Sequence, residues 1–325
     1  HHHSAVHSFP TRRSSDLREA ARAAGIEMIG FAEPHPLTEW LEILEKRREQ
    51  GRITSFERTP PSRRVDYSQA FPKVKGIIVI GVPYCTELPE PEDNTAHGSM
   101  ASVAWGQDYH EVVTEKMNGL MALLKETAPS LEYRSYVDNS RLLDRATAWR
   151  AGLGFFGKNN TLINPEYGSF FFIGQILVSS FIDFKHAVPL KSQCGTCQRC
   201  LMACPNQALG EGYTLEPERC VSYLTQKKKL TPEEERLLGV TYLYGCDDCQ
   251  RACPWNIKSS DGGQAWPDIV PESIYPGLDE TEAISEADFE EKFGKTAAAW
   301  RGKDVLARNA RIIKNNLKNH AKDKN

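Results

Sequence analysis

Apolar residues recur at helical and strand spacing through roughly the first 185 residues of the chain. Amphipathic stretches, most of them ending at glycine, predict helices at 17–25, 37–51, 111–126 and 139–154. Nearly continuous apolar runs predict buried strands at 26–32, 76–84 and 169–179. Helices and strands are mixed without the regular alternation of a doubly wound sheet. We therefore expect one α+β domain over residues 17–185.

The pattern changes after residue 185. Residues 186–260 are rich in cysteine, and residues 261–325 begin with a Gly/Pro-rich connector and continue as a helical tail. One face of the tail is apolar and the other basic, which predicts a helix lying on a core or the start of a helical repeat; the apolar residues are Leu306, Ala310, Ile313 and Leu317. Residues 1–16 are rich in His, Ser and Arg without an apolar core, so we expect a tag or other non-native leader.

Composition narrows the class of protein. The 325 residues are 40% hydrophobic and 26% charged, which is typical of a globular protein with two domains or one domain and an insert. The net charge of -3 offers no global basic field, although residues 301–325 contain eight Lys/Arg against two Asp. No stretch approaches the roughly 18 apolar residues of a membrane helix, and no secretory signal is evident. These features predict a cytoplasmic protein that is not bound to a membrane.

Eight of the nine cysteines fall between positions 194 and 253, in two similar runs that each end in Cys-Pro. Clustering of this kind without an export signal favours metal binding over disulfides. In two-cluster ferredoxins the cysteine before proline ligates the other cluster. Applied here, that rule groups Cys194, Cys197, Cys200 and Cys253 on one 4Fe–4S cluster. Cys204, Cys246 and Cys249 would hold the second.

The second run lacks one ligand, and the isolated Cys220 is the candidate that completes it. Zinc is a weaker alternative, because eight cysteines with two Cys-Pro endings do not resemble paired zinc ligands. Cys85 stands apart from the others, and we interpret it as a small apolar residue rather than a nucleophile. Two adjacent clusters indicate electron transfer, which implies a substrate that is reduced.

Three other motifs carry less weight. The glycines of GLGFFG at 152–157 close a predicted helix instead of opening one, which argues against a dinucleotide-binding turn. DYHEVV at 108–113 begins like the motif that supplies an axial histidine to cobalamin, but Val113 replaces its glycine, so His110 is not expected to ligate cobalt. QKKKL at 226–230 is either a solvated patch or a phosphate contact.

Residues 135–178, the cysteine runs, RCVSYLT and YGCDDCQRACPWN together resemble the epoxyqueuosine reductase family over roughly residues 17–315. The resemblance implies a nitroreductase-like cobalamin-binding domain, a two-cluster bacterial ferredoxin-like domain and a short helical tail. It implies base-off cobalamin, two 4Fe–4S clusters, a tRNA substrate carrying epoxyqueuosine, a low-potential electron donor and a monomer. Family members commonly extend into a further helical-repeat domain, so we expect the tRNA contacts of that extension to be absent or reduced here.

The resemblance also implies roles for individual residues. Asp138 is the expected proton donor; its alternative role as a helix cap is less favoured, because Asn139 and Ser140 are better placed to cap. The residues in cobalamin-contacting segments are Arg64, Asp138, Ser140, Lys158, Asn159, Ser222 and Asp247. Tyr109 and His110 are expected to border the pocket. Many family members have an arginine near Ser102, which weakens any assignment there.

Two other functions remain open. A reductive dehalogenase would use the same cofactors, although such enzymes usually have an export signal and a longer chain. A plain ferredoxin-type electron carrier would bind iron but no corrinoid, with the α+β part serving as a docking scaffold.

Overall fold

The computed structural model describes residues 12–84, 96–138, 141–183, 188–259 and 273–322. The helices are α1 (Ser14–Ala23), α2 (Thr38–Glu49), α3 (Pro61–Arg64), α4 (Tyr109–Thr127), α5 (Asp144–Arg150), α6 (Arg199–Ala203), α7 (Val221–Leu224), α8 (Pro232–Leu238), α9 (Asp248–Arg251), α10 (Pro254–Ser259), α11 (Leu278–Glu282), α12 (Glu286–Phe293) and α13 (Lys303–Lys322). Short 3-10 helices cover Tyr67–Gln69, Ser102–Ala104, Glu211–Tyr213, Pro217–Arg219 and Ala297–Arg301.

The strands are β1 (Arg12–Arg13), β2 (Met28–Ala32), β3 (Gly76–Pro83), β4 (Ser99–Met100), β5 (Tyr133–Val137), β6 (Phe155–Phe156), β7 (Leu162–Ile163), β8 (Phe171–Val178), β9 (Ile182–Asp183), β10 (Leu209–Gly210), β11 (Thr214–Leu215) and β12 (Tyr242–Tyr244). The prediction of mixed helix and sheet is confirmed. The first helix begins at Ser14, and β1 pairs with β9, so residues 12–16 of the expected leader take part in the fold.

A four-stranded antiparallel sheet in the order β2–β3–β8–β5 forms the centre of the N-terminal half. The pairing of β3 with β8 runs from Gly76 opposite Val178 to Pro83 opposite Phe171. The predicted strands correspond to β2, β3 and β8, which are almost entirely buried, as nearly continuous apolar runs require. The edge strand β5 is only partly buried and has no such run, so the sequence did not predict it.

Each face of this sheet is covered by helices. On one face α1 and α4 pack over the sheet, and the residues predicted to face inward from α4 are all buried: Val113, Met117, Leu120 and Leu124. The other face contacts α2 and α5. Gly174 lets α4 approach closely, because a Cβ atom there would lie 2.8 Å from Val113 Cγ1.

A third core crosses the expected domain boundaries. Met100 and Trp105 from the N-terminal half pack with Leu243 from the cysteine-rich module and with Phe293 and Leu306 from the tail. Strand β4 pairs in parallel with β12 at the same place. The indole Nε1 of Trp105 donates to Met100 O at 2.8 Å, so its polar group is satisfied in the core. The tail is therefore an integral layer of the fold rather than an appendage.

Buried Asn309 joins α13 to the cysteine-rich module. Its side-chain nitrogen donates to Thr225 O and to Leu243 O, each at 2.8 Å. The apolar face of the tail helix is buried at Leu306, Ala310 and Ile313, as predicted, but Leu317 is 39% exposed. No helix in the described ranges is long and apolar enough to cross a membrane.

The helix predicted at 139–154 begins later than expected. It starts at Asp144, and Gly152, with φ of +79°, follows its end as predicted. Asp138 is therefore separated from the helix and does not lie at its N-terminus; it follows β5 with φ of +46°. Asn139 and Ser140, the expected caps, lie outside the described residues, as does Cys85. The GLGFFG segment enters the β6–β7 hairpin, so no helix follows it.

Candidate functional site

Asp138 lies at the end of β5, where its carboxylate meets the first turn of α4. The phenol of Tyr109 donates a hydrogen bond to Asp138 Oδ2 at 2.5 Å, and His110 Nε2 lies 4.0 Å from the same oxygen. The side chain of Asp138 is 63% exposed. Asp138, the expected proton donor, thus lies beside Tyr109 and His110, the two residues expected to border the pocket, and one side of its carboxylate is open.

The N-terminal cap of α4 fixes this arrangement. Asp108 caps the helix by accepting from His110 N, and its Oδ1 also lies 2.7 Å from His110 Nδ1. The hydrogen bond with Asp108 raises the pKa of His110 above its usual value, against the opposing effect of burial. The pKa of Asp108 is lowered: burial would raise it, but the hydrogen bonds from His110 outweigh burial. His110 thus favours the charged form more than an ordinary histidine does.

Tyr109 is held in a stack of aromatic rings. Its ring lies parallel to that of Phe172, with centroids 4.3 Å apart. Burial raises the pKa of Tyr109, and the charge of Asp138 raises it further. The phenol consequently remains protonated and acts as a hydrogen-bond donor to Asp138.

Asp144 is a second acid near this corner, and the sequence analysis missed it. It lies in the first turn of α5, and Gln175 on β8 donates a hydrogen bond to Asp144 Oδ1. Burial, and then the charge of Asp138, raise the pKa of Asp144 to about 8. Asp144 is accordingly a largely protonated acid at neutral pH. An acidic residue one turn into a predicted helix gave no signal that it would contact β8 through Gln175.

The cysteine thiols form two groups. Burial raises the pKa of Cys200, and the neighbouring thiols of Cys194, Cys253 and Cys197 raise it further. Burial likewise raises the pKa of Cys253, on which Cys194 and Cys197 also act. Cys253, from the second run, is therefore an electrostatic neighbour of the first three cysteines.

The second group contains the isolated cysteine. Burial raises the pKa of Cys249, with further contributions from Cys220 and Cys204. Burial and the charge of Asp248 raise the pKa of Cys246, and the thiols of Cys249 and Cys220 raise it further. The Cys200 thiol also raises the pKa of Cys249, which indicates that the two groups are neighbours.

The eight cysteines between positions 194 and 253 are free thiols. In the part of the chain that the structure describes, no three His, Cys, Asp or Glu side chains converge on one ion. A 4Fe–4S cube holds each thiolate on a different iron, so its ligands need not converge on one point. Backbone amides already point at these sulfurs, as with Ala208 N, which donates to Cys204 Sγ at 3.2 Å.

Lys158 and Asn159 join the N-terminal half to the cysteine loops. Lys158 Nζ donates to Gly195 O at 2.8 Å and to Cys197 O at 2.9 Å. Asn159 is buried, and its side-chain nitrogen donates to Cys249 O at 3.4 Å. One dipeptide thus contacts a loop of each thiol group.

Asp247 makes a similar connection. It is buried and accepts from both the backbone N and the Oγ of Ser102, each at 2.7 Å. Arg251 Nη2 lies 3.5 Å from Asp247 Oδ2. Burial raises the pKa of Asp247, although the hydrogen bonds from Ser102 oppose that effect. Ser102 therefore ties the second cysteine run to the N-terminal half.

The other expected site residues have simpler surroundings. Arg64 pairs with Glu57 at 2.8 Å, and its charge opposes part of the rise in the pKa of Asp144. Ser222 lies in α7, where its carbonyl accepts from Gln226 Nε2. Ser140 lies outside the described residues.

The lysine run at 226–230 is not uniformly free. Lys227 Nζ pairs with Glu218 at 2.6 Å and also with Glu234, while Lys228 and Lys229 are exposed. Arg308 of the tail donates to the carbonyls of Lys227 and Lys228. Lys227 is thus held in ion pairs within the protein, and Lys228 and Lys229 remain for contact with a ligand.

Two family models match the chain. Residues 193–256 match the 4Fe-4S double cluster binding domain, and residues 64–139 match the model described as "Epoxyqueuosine reductase QueG, DUF1730". An epoxyqueuosine reductase of Bacillus cereus is 36% identical over 298 residues, covering 91% of this chain and 78% of the relative. The chain belongs to the epoxyqueuosine reductase family.

Solved structures of this family share the fold. The epoxyqueuosine reductase of Streptococcus thermophilus is 35% identical, with a TM-score of 0.85 over 93% of this chain and 81% of that one. An epoxyqueuosine reductase solved with an epoxyqueuosine-modified tRNA-Tyr stem loop is 35% identical, with a TM-score of 0.84 over 92% of this chain and 80% of that one. A double-cluster module joined to a family-specific N-terminal half is thus the arrangement in this chain as well.

Proposed function

We propose that this chain reduces the epoxide of epoxyqueuosine, at the wobble position of a tRNA anticodon, to queuosine. The observation that carries the proposal is the exposed Asp138 carboxylate, held by Tyr109 and His110, in a chain that also contains a double-cluster module. An acid at an open site and a source of electrons are the two requirements of the reaction.

We propose three functional regions: a nitroreductase-like cobalamin-binding domain at 17–185, a ferredoxin-like domain at 186–260, and a connector with a basic tail at 261–325. The 63% exposure of the Asp138 side chain supports access of a cofactor to this residue. Both ring nitrogens of His110 face carboxylates, which supports base-off binding without a histidine ligand. When bound, cobalamin supplies the two-electron reduction at the substrate, and the clusters supply its electrons.

The proposed corrinoid contacts are Arg64, Asp138, Ser140, Lys158, Asn159, Ser222 and Asp247. The contacts of Lys158, Asn159 and Asp247 with the cysteine loops support a role in fixing the border between cofactor and clusters. The polar groups of these three residues already make hydrogen bonds within the protein. They therefore position the border between cofactor and clusters more than they bind the corrinoid by charge.

The proposed ligands of one 4Fe–4S cluster are Cys194, Cys197, Cys200 and Cys253. Those of the other are Cys204, Cys220, Cys246 and Cys249. The division of the thiols into two electrostatic groups supports this crossed assignment. The proximity of Cys200 to Cys249 supports electron transfer between the clusters.

Opening the epoxide and removing its oxygen consumes two electrons and two protons, and it yields a carbon–carbon double bond and water. Asp138 donates a proton to the departing oxygen, and the hydrogen bond from Tyr109 orients its carboxyl group. His110 holds a proton at Nε2, 4.0 Å from Asp138, and restores the one that Asp138 gives up. Its raised pKa suits that task at neutral pH.

The proposed partners are a tRNA carrying epoxyqueuosine and a low-potential electron donor, and we propose that the protein acts as a monomer in the cytoplasm. The exposed Lys228 and Lys229 are candidate phosphate contacts.

An anaerobic cobalamin titration of the iron-loaded protein, followed by absorption spectroscopy, tests the proposal. We expect saturable binding with the spectrum of a base-off corrinoid. Iron without corrinoid binding would indicate an electron carrier. The loaded protein is then offered an epoxyqueuosine stem-loop and a halogenated phenol; reduction of the halide alone would indicate a dehalogenase.

A further inference from the structure

Two segments of the chain bring exposed aromatic rings together beside the buried ring of Tyr223. Phe56, in the loop between α2 and α3, is 39% exposed, and Trp300, at the end of the 3-10 helix Ala297–Arg301, is 52% exposed. The Phe56 ring makes edge contacts with Trp300 at 5.4 Å and with Tyr223 of α7 at 5.0 Å between centroids. Large rings exposed in one patch are uncommon unless they contact a ligand.

An arginine completes this patch. The guanidinium carbon of Arg301 lies 3.5 Å from the centroid of the Trp300 ring and 4.6 Å from that of Phe56. Its Nε atom is buried and has no hydrogen-bond acceptor within the described ranges of the chain. Arg58, two residues after Phe56, is exposed beside the same loop. The patch therefore combines flat apolar faces with positive charge.

The rings are fixed by hydrogen bonds. Tyr223 OH accepts from Ser55 N at 3.0 Å and donates to Ser55 Oγ at 3.2 Å, which anchors the loop that carries Phe56. Trp300 Nε1 donates to Tyr244 OH at 2.8 Å. Because the rings are held before any ligand arrives, a ligand that stacks on them pays little ordering entropy.

Tyr244 also connects the patch to the active site. Burial raises the pKa of Tyr244, and the charges of Asp108 and Asp138 raise it further while Arg301 opposes them. Tyr244 in turn acts on Tyr109, the residue that donates to Asp138. Tyr244 belongs to the third core, and Tyr109 packs against the same core, so the residue that accepts from Trp300 and the residue that donates to Asp138 share one set of neighbours.

A nucleotide of the anticodon loop fits this surface. A base that enters an active site must leave its stack, and its neighbours in the loop lose stacking with it. Proteins recognise such unpaired bases by stacking them on aromatic rings and arginine planes. We propose that Phe56, Trp300 and Arg301 form a platform on which an unpaired base next to the modified nucleotide stacks; this inference rests on the proposed function.

Stacking and charge make different predictions for the salt dependence of binding. A base stacked on rings releases no counterions, whereas a phosphate contact does. Loss of the platform should therefore weaken RNA binding without changing the slope of affinity against salt. A corrinoid is the other planar group that the patch suits, and loss of corrinoid affinity would identify it as the occupant instead.

The test uses the protein loaded with cobalamin and iron, and a synthetic tRNA anticodon stem-loop with guanosine at the wobble position. The variants are Phe56→Ala, Trp300→Ala and Arg301→Lys, which keeps the charge but loses the planar group. The control is Phe181→Ala. Phe181 is 60% exposed, and Lys75 Nζ lies over its ring. Phe181 follows the C-terminal end of β8, whereas Asp138 lies toward the other end of that strand.

We expect Phe56→Ala and Trp300→Ala to weaken stem-loop binding by about 5- to 100-fold, with an unchanged salt slope, corrinoid affinity and cluster spectrum. Arg301→Lys should weaken binding with the slope again unchanged, and Phe181→Ala should bind like the unaltered protein. Unchanged stem-loop binding in both ring variants would overturn the inference. A loss of corrinoid affinity in these variants, instead of a loss of stem-loop affinity, would overturn it as well. Turnover of an epoxyqueuosine stem-loop by the unaltered protein, measured alongside, shows separately whether the proposed function holds.

Discussion

Asp138 turns the backbone into the left-handed region directly after β5, with φ of +46°, a conformation that aspartate tolerates better than most residues. The turn directs its carboxylate to Tyr109, which is 29 positions away in the sequence. The family resemblance predicted that Asp138 donates the proton, and that role stays a prediction. Tyr109 was expected only to border the pocket; its hydrogen bond to Asp138 could not be derived from the sequence, because the contact depends on how α4 packs over the sheet.

Asp138→Asn should retain cobalamin and both clusters but lose turnover by about 10²- to 10⁴-fold. An amide is nearly isosteric with the carboxyl group yet cannot supply the proton. Rates on an epoxyqueuosine stem-loop, together with absorption spectra, check this prediction. Asp279→Asn, at an exposed tail position, is the control. A near-normal rate in Asp138→Asn would make Asp138 a structural residue.

Asp144 should make stability depend on pH. Its pKa is raised to about 8 in the folded protein, so the folded state holds a proton that the unfolded state releases near the ordinary value of 3.8. The contribution of Asp144 to the free energy of unfolding is fully present below its pKa in the unfolded state. It is lost as pH rises through about 8. Thermal unfolding of the loaded protein between those limits should show a smaller decline with pH in Asp144→Asn than in the unaltered protein. Identical declines would contradict the assignment.

The cysteine runs predicted a module with two 4Fe–4S clusters, and the match of residues 193–256 to the 4Fe-4S double cluster binding domain confirms it. The assignment of each thiol to one cluster stays a prediction. The short pair β4 and β12 was not predicted, since two-residue strands carry no periodic signal. Helix α5 was predicted to start too early: its first residues, at 139 and 140, have cap-forming side chains, but the helix begins at Asp144. Local pattern gives element type more reliably than element ends.

Cys220→Ala should remove one cluster and leave the other. Cys220 lies between the 3-10 helix Pro217–Arg219 and α7, where it joins Cys204, Cys246 and Cys249. Iron content after anaerobic reconstitution should fall from about eight to about four per chain. Cys85→Ala should keep both clusters. Two clusters with unaltered spectra in Cys220→Ala would refute the crossed assignment.

At the scale of the whole molecule, the contiguous domains expected from the sequence describe the packing only in part. The composition of the chain separates an α+β part, a cysteine module and a tail, yet the third core takes residues from all three. Asn309 shows why: its side-chain nitrogen donates to Thr225 O and Leu243 O, which lie far along the chain, and no local pattern encodes such a long-range pairing. The tail is basic in sequence, but Lys314 pairs with Glu282, so part of that charge is already neutralised.

Charge reversal at Lys228 and Lys229 should weaken binding of a stem-loop and reduce its salt dependence. Both lysines are exposed, and each phosphate contact contributes about 0.7 to 0.9 to the slope of log affinity against log salt. Lys227 is left intact, because its ion pairs with Glu218 and Glu234 hold α8 in place. Reversal at Lys73 and Lys125, near the far end of the sheet, is the control. An unchanged slope would show that the two lysines form only a solvated face.

The most direct test of the central claim is turnover of an epoxyqueuosine-containing anticodon stem-loop by protein whose iron and cobalamin contents have been verified, with a chemical reductant and mass spectrometry of the product base. The account predicts a base that has lost one oxygen atom, formed only when both cofactors are present. An intact epoxide after incubation with the fully loaded, reduced protein would contradict it.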